Sequence, residues 1–408
     1  WFEDQPEQAF AQARSSGRPV LVDLWAPWCH TCLAMQQGVL TAESLPQLER
    51  DVVLLAMDTE KPDNAAFLQD FPVTVWPTFY VLDATTRRVR GRWLGAASAE
   101  QLSRFLTDSA AVASSASLVA LREGDALAAK MEFAAAALKY RVALASAPMD
   151  WPRRGDALVS LITALAKSDD VAGCVELGRR EGARLGSSVS AGDFAAVTLG
   201  CADKLRDQPP LVAEARRVAV EALTPLCNDG AAGLSADDRA DACASLRRAR
   251  EALGDEAGAR AAAQQGLKVI DEATRDAAPR TQLIHDWARS EALVLLGRRD
   301  EAITRLIARE RELPDRYNPP HYLARLYRDA KQWQLGLLAI DRALGRAYGP
   351  RRIGLMSVKV DLLLGAGNAA DARSLLEAQL AAYRALPAGQ QQPSAQAAVE
   401  KRLSSLMK

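Results

Sequence analysis

The sequence predicts an α/β sheet layer in residues 1–108 followed by an all-α array of paired helices in residues 118–408. Strand-type apolar runs fall almost entirely before Ser109, whereas the remainder is dense in Ala, Leu and Arg at helical spacing. The length of 408 residues, 49% of them apolar, suits two or three domains with their own cores. Residues 109–117, SAAVASSAS, join the two parts, either as a short linker or as a continuation of the preceding helix.

The elements follow in order. Pro6 to Ser15 reads as an amphipathic helix with Phe10 and Ala13 on one side, and Val20 to Leu24 as a short strand. Helical spacing resumes through Met35 to Val39. Val52 to Met57 reads as a second strand, Asn64 to Asp70 as a helix, Thr78 to Asp83 and Val89 to Leu94 as two more strands, and Ala99 to Thr107 as a closing helix. Strands alternating with helices, then a hairpin and a helix, give a sheet covered by helices on both faces.

Net charge is zero, with 51 basic against 51 acidic residues, so there is no overall electrostatic pull toward nucleic acid. No run of about 18 uncharged apolar residues occurs, which argues against a membrane span. Before Ser109 stand 9 basic and 14 acidic residues and after it 42 and 37, a mild asymmetry that reads as solvated surface. The chain opens at Trp1 with neither an initiator Met nor a charged-then-apolar leader, so a preceding segment is expected to have been removed, and the sequence leaves a signal peptide open.

Chemistry concentrates at Cys29-His30-Thr31-Cys32, where a strand hands over to a helix. Free N–H groups and the macrodipole at a helix start favour an anion, which makes Cys29 the exposed thiolate nucleophile and Cys32, one turn inside, the buried resolving thiol. A protonated His30 would favour the Cys29 thiolate further, in a more oxidising direction. The competing reading is half of a zinc site, but no second close Cys/Cys or Cys/His pair exists, so no metal is expected. Asp23 ends an apolar strand, where burial of its charge is costly and its pKa should rise, unless it is simply a solvated strand-end acid. Trp28 and Trp76 could rim the site for an extended substrate chain, with His30 and Thr31 as further substrate contacts, while Trp25 and Trp93 read as core.

Val20 to Cys32, VLVDLWAPWCHTC, resembles the signature of the thioredoxin family, Val75-Trp76-Pro77-Thr78-Phe79 its cis-proline loop, and Gly95-Ala96 its glycine before the last helix. The resemblance covers roughly residues 1–108. The long opening helix, Gly17-Arg18-Pro19 and the Leu33 to Leu48 helix with its TAESLPQL continuation look closest to periplasmic disulfide-reductase domains. It implies a thioredoxin fold in which Cys29 attacks a substrate disulfide, Cys32 resolves the mixed disulfide, Asp23 assists proton transfer at Cys32, and a cis Pro77 presents backbone groups to substrate. It implies no cofactor beyond the Cys29–Cys32 disulfide, and as partners protein substrates bearing thiols or disulfides and an upstream electron donor or acceptor. Trp76 stands where a small or β-branched residue is usual, and His-Thr between the cysteines differs from the common reductase and oxidase versions. Both departures leave substrate choice and redox poise open.

From Leu118 the pattern is a run of helical hairpins. Ala136, Tyr140, Ala143-Leu144 and Pro148 within Gly124 to Pro148 resemble the tetratricopeptide repeat, and Leu296 to Pro314, Leu323 to Leu344 and Leu364 to Leu380 repeat it. Weaker copies lie at about 157–187, 194–225 and 240–270. Such hairpins stack into a solenoid whose concave surface suits a protein or peptide partner. Tyr317 and Tyr322 could line a peptide groove, whereas Tyr327 and Trp333 read as core and His285 and His321 as surface or packing residues. Cys174, Cys201, Cys227 and Cys243 allow three pairings, with Cys227–Cys243, bracketing the Gly-rich loop Asn228 to Asp237, favoured over the others; buried free thiols are the alternative. The expected setting is periplasmic or exported, with a cytosolic reductase as the alternative and a non-catalytic or redox-sensing scaffold as the competing function.

Overall fold

A computed structural model describes residues 1–41, 43–44, 48, 50–111, 115–228 and 234–406. Residues 42 and 45–47 of the TAESLPQL continuation, 112–114 and 229–233 of the Gly-rich loop lie outside the described residues. The helix expected over Leu33 to Leu48 instead ends at Gly38.

The N-terminal part holds β1 (Phe2–Glu3), α1 (Pro6–Ser16), β2 (Val20–Trp25), α2 (His30–Gly38), β3 (Val53–Asp58), α3 (Ala65–Asp70), β4 (Thr78–Leu82), β5 (Val89–Leu94) and α4 (Ala99–Ala110). The five strands form a mixed sheet in the order β1-β3-β2-β4-β5, with β1 parallel to β3, β4 antiparallel to β2 and β5 antiparallel to β4. Central β2 is buried on both faces, which is why VLVDLW reads as a continuous apolar run rather than an alternation. One face packs Leu21, Leu54, Phe79 and Val81 against Met35 and against Leu102 and Phe105 of α4. Sequence reading placed each of these elements except β1, two residues that pair with Leu55 and Ala56.

Among the described residues the regular elements after Ala110 are all helical: α5 (Ala116–Ala129), α6 (Phe133–Ser146), α7 (Arg154–Lys167), α8 (Val171–Glu181), α9 (Val189–Ala202), α10 (Pro209–Asn228), α11 (Ala236–Ala252), α12 (Glu256–Thr274), α13 (Pro279–Leu295), α14 (Arg299–Glu312), α15 (Asn318–Asp329), α16 (Trp333–Arg346), α17 (Gly349–Gly365), α18 (Ala369–Arg384) and α19 (Pro393–Leu406). Each packs on the next from α5 to α12 and again from α13 to α19. Small residues sit where partners touch: Gly124 of α5 lies under the Tyr140 ring of α6, and Gly365 of α17 under Trp333 of α16. Among the described residues no helix is long and apolar enough to cross a membrane.

Two compact units emerge, residues 1–57 with 71–275, and residues 58–70 with 276–408. In the first, the helical region is built onto the sheet. Helix α5 covers β5, and buried Asp125 of α5 accepts hydrogen bonds from the Arg92 backbone N–H and the Tyr140 hydroxyl, both at 3.0 Å. In the second, the segment 58–70 is held by C-terminal residues. The Tyr348 hydroxyl donates to Asp58 (2.5 Å), the Arg351 backbone N–H to Glu60 (2.5 Å), and the Gln390 amide to the Thr59 and Lys61 carbonyls (2.9 and 3.0 Å).

Candidate active site

Strand β2 ends at Trp25, and a short turn makes Cys29 the N-cap of α2, its Sγ accepting the Cys32 backbone N–H at 2.9 Å. Cys29 and Cys32 are joined as a disulfide with Cα atoms 5.2 Å apart. Cys29 is only 4% exposed and Cys32 1%, whereas the sequence suggested an exposed Cys29. The reason is aromatic packing. Trp25, Trp28 and Trp76 pack on the disulfide, and the Trp28 and Trp76 rings lie 4.9 Å apart at 60°. Trp25 therefore joins the site rather than the distant core; Trp93 is a core residue, its indole N–H bonded to the Ala96 carbonyl.

The Trp76–Pro77 peptide bond is cis. The Pro77 carbonyl accepts the Gly95 N–H (2.9 Å), and the Thr78 hydroxyl donates to the Val75 carbonyl (2.7 Å). The Gly95 turn is thereby tied to the Pro77 loop, whose Trp76 reaches the disulfide.

Asp23 is buried in β2 opposite Phe79 and hydrogen-bonds Gln36, which lies one helical turn beyond Cys32 on α2. Burial pushes its carboxyl up to about 7, with the Gln36 bond acting the other way, and its Oδ1 has no hydrogen-bond partner. The solvated alternative for Asp23 is thus removed. A carboxyl that is half-protonated near neutral pH can take and return a proton within the fold.

His30, the first residue of α2, meets α11 of the helical region. Its Nδ1 lies 3.1 and 3.3 Å from the two carboxylate oxygens of Asp237, and its Nε2 3.8 Å from Asp241. Burial pulls the imidazole down, but the charges of Asp241 and Asp237 and the Asp237 hydrogen bond outweigh it and raise the ring to about 10. Burial also raises Asp241, to about 7, against the His30 charge. Asp193 of α9 accepts the Ala96 N–H, and a Cβ on Gly95 would stand 2.3 Å from its carboxylate, so the family-like glycine is needed here for close approach as well as for its positive φ of 76°. Thr31 faces the hollow between α2, the Ala96–Glu100 segment and the start of α11. Sequence reading missed Asp193, Asp237 and Asp241, because acids within helical runs carry no sign of a partner about one hundred (Asp193) or two hundred (Asp237, Asp241) residues away. The three donor groups of His30, Asp237 and Asp241 lie within 4.8 Å of one another, but the two ring nitrogens face different carboxylates, which is the pattern of an ion-paired imidazolium, and we assign no metal.

The remaining candidates resolve as structure. Tyr317, His285 and His321 are buried, and the Tyr322 ring packs at a tilt of 41° against Trp287, centroids 5.1 Å apart, so the tyrosines are packing residues instead of a groove lining. Cys227–Cys243 form the favoured disulfide and Cys174–Cys201 a second.

Residues 1–84 match the family model described as Thioredoxin-like. The same region is similar to the thiol:disulfide interchange protein DsbD of Yersinia enterocolitica, 32% identical over 83 residues (20% of this chain, 14% of the relative). It is likewise similar to the proteins of that name from Klebsiella pneumoniae, 34% over 92 residues (21% and 15%), and Ralstonia nicotianae, 31% over 96 residues (23% and 16%). The matched stretch thus spans about a seventh of the length of these relatives. With the five-stranded sheet, the disulfide at the start of α2 and the Pro77 loop beside it, the similarity makes the N-terminal part of this chain a thioredoxin-like domain.

Proposed function

We propose that this protein is a thiol-disulfide oxidoreductase that reduces protein disulfides through Cys29 and Cys32. The observation that carries the reading is the Cys29–Cys32 disulfide capping α2 under Trp28 and Trp76, with buried Asp23 behind it. In the forward direction the reduced Cys29 thiolate attacks a substrate disulfide, one substrate sulfur leaves as a thiolate, and a Cys29–substrate mixed disulfide forms. Cys32 then loses its proton to Asp23 and attacks the Cys29 sulfur, releasing the second substrate thiolate and leaving the oxidised pair described above. Two electrons have passed to the substrate, and a reduced donor protein restores the dithiol. Pro77 and the Trp28, Trp76, His30 and Thr31 rim serve as the substrate seat.

Residues 1–108 act as the redox domain and 118–408 as a tetratricopeptide-like partner-binding module, a reading supported by the successive pairing of the helices. An exported, periplasmic setting is supported by two further buried disulfides, which cytosolic thiol pools disfavour.

Equilibration against glutathione buffers tests the direction. A potential near about −270 mV supports a reductase, and one near about −120 mV a strong oxidant. Cys32→Ala should trap protein clients on Cys29, and absence of any trapped species overturns the catalytic reading. Replacing exposed Leu335 and Leu338 by Asp in the Cys32→Ala background should change the trapped set if the helices recruit clients.

A further inference from the structure

The imidazole of His30 is held from outside the thioredoxin-like domain. Asp237 and Asp241 are four residues apart on α11, hence on one helix face, and each addresses a different ring nitrogen. The Asp237 side chain is 6% exposed, which shields its end of the Nδ1 contact, whereas the His30 ring is 44% and Asp241 47% exposed, so the Asp237 contact is the stronger of the two. A neutral imidazole has one N–H and one lone pair, and would turn that lone pair toward an ionised carboxylate; with both carboxylates ionised, the doubly protonated ring is the form that suits both. The helix that supplies them is fixed in turn. Ser235 and Asp238 form a capping box at its start, and Cys243 fastens it to Cys227 of α10.

We propose that Asp237 and Asp241 are positioning residues of the redox site, Asp237 holding the His30 ring through a hydrogen bond to Nδ1 and Asp241 through its charge on the Nε2 side, so that a permanent cation stands beside Cys29 whether the cysteines are oxidised or reduced. The proposal rests on Cys29 being the nucleophile. An unassisted histidine next to a reactive cysteine gains and loses its charge around pH 6.5, and the thiolate's reactivity follows it. Here the ring stays charged through neutral pH and Cys29 titrates against a constant field. The other charged groups facing this corner are Asp238 and Arg248 of α11 and Asp193 of α9; burial raises both carboxyls, with the Asp237 charge adding to Asp238 and the Asp238 and Asp241 charges adding to Asp193. Raised acids shed charge as pH falls, which lessens the local negative field without discharging His30.

The test is the pH profile of Cys29 alkylation by iodoacetamide in the reduced full-length protein, with nitrogen-15 NMR of the histidine side chains, of which the chain has three. The wild type should show one inflection, that of the thiol, and a His30 ring protonated on both nitrogens from pH 5 to 8, in both redox states. The double variant Asp237→Asn, Asp241→Asn should show a second inflection between about pH 6 and 7 and a His30 that titrates there. Asp237→Glu, which keeps the charge, should restore the single inflection. A merely structural role would lower the melting temperature of the Asn variant without adding the inflection. A wild-type His30 that titrates near pH 6.5, or an Asn variant with an unchanged profile, overturns the proposal. Failure of the oxidoreductase reading is separate: it would show as no trapped client with Cys32→Ala while His30 remains doubly protonated.

Discussion

The burial of Asp23 sets a stability cost against the proton-transfer role proposed for it. Its carboxyl is raised by burial to about 7, so between roughly pH 4 and 7 the folded protein holds a proton that the unfolded chain has released. Folding stability therefore falls as pH rises through that window, and the penalty is fully present above pH 7. Asp23→Asn should be more stable than wild type at pH 8, on the order of 4 kcal/mol, and indistinguishable from it near pH 4; denaturant melts at both values check this. In the proposed mechanism the same variant should slow resolution of a mixed disulfide by about 100-fold, read by stopped-flow tryptophan fluorescence, because Cys32 would lose its proton acceptor. Trp76 acts at the other side of the disulfide. Trp76→Ala should raise the exposure of Cys29 and accelerate attack by glutathione severalfold. Cys29, Cys32, Asp23 and Pro77 were legible in the sequence because each belongs to a short local pattern. Asp237 and Asp241 were not, since nothing in a helical run of acids and arginines says which acid meets a histidine two hundred residues earlier.

At the scale of elements, the helix pairs depend on small residues at their crossings. A Cβ on Gly124 would stand 2.5 Å from the Tyr140 ring, with buried Asp125 next to it. Gly124→Ala should destabilise by about 1–3 kcal/mol through forced separation of α5 and α6, measured as a shift in denaturant midpoint at constant slope. Asp125→Ala should cost about 3 kcal/mol, because it strands the Arg92 backbone N–H and the Tyr140 hydroxyl in the interior. The central strands were readable from apolar runs and their flanking turns, and the hairpin helices from Gly, Ala and aromatic spacing. β1 was not, because two residues carry no periodicity and its pairing with β3 is decided by the opposite strand.

Across the whole molecule, the sequence suggests a cut near Ser109, and the packing does not respect it. Helix α5 covers β5 in the first unit, and the segment 58–70 is counted with the last helices in the second. Residues 1–110 expressed alone should melt more than about 10 °C below the full chain and bind a hydrophobic dye, since the α5 face of β5 would be bare. Equal melting would show the sheet to be self-sufficient.

Cys227–Cys243 lies six residues from Asp237 and two from Asp241, in a protein read as an agent of disulfide exchange. Every copy of such an agent is a possible aggressor toward every other. Both sulfurs belong to residues no more than 1% exposed, so a thiolate from a neighbouring copy has no line of approach. Immunity to its own chemistry is then a matter of depth rather than of bond strength, and long incubation in dithiothreitol, by waiting for the helices to breathe, would yield an enzyme whose active site has lost its outer acids.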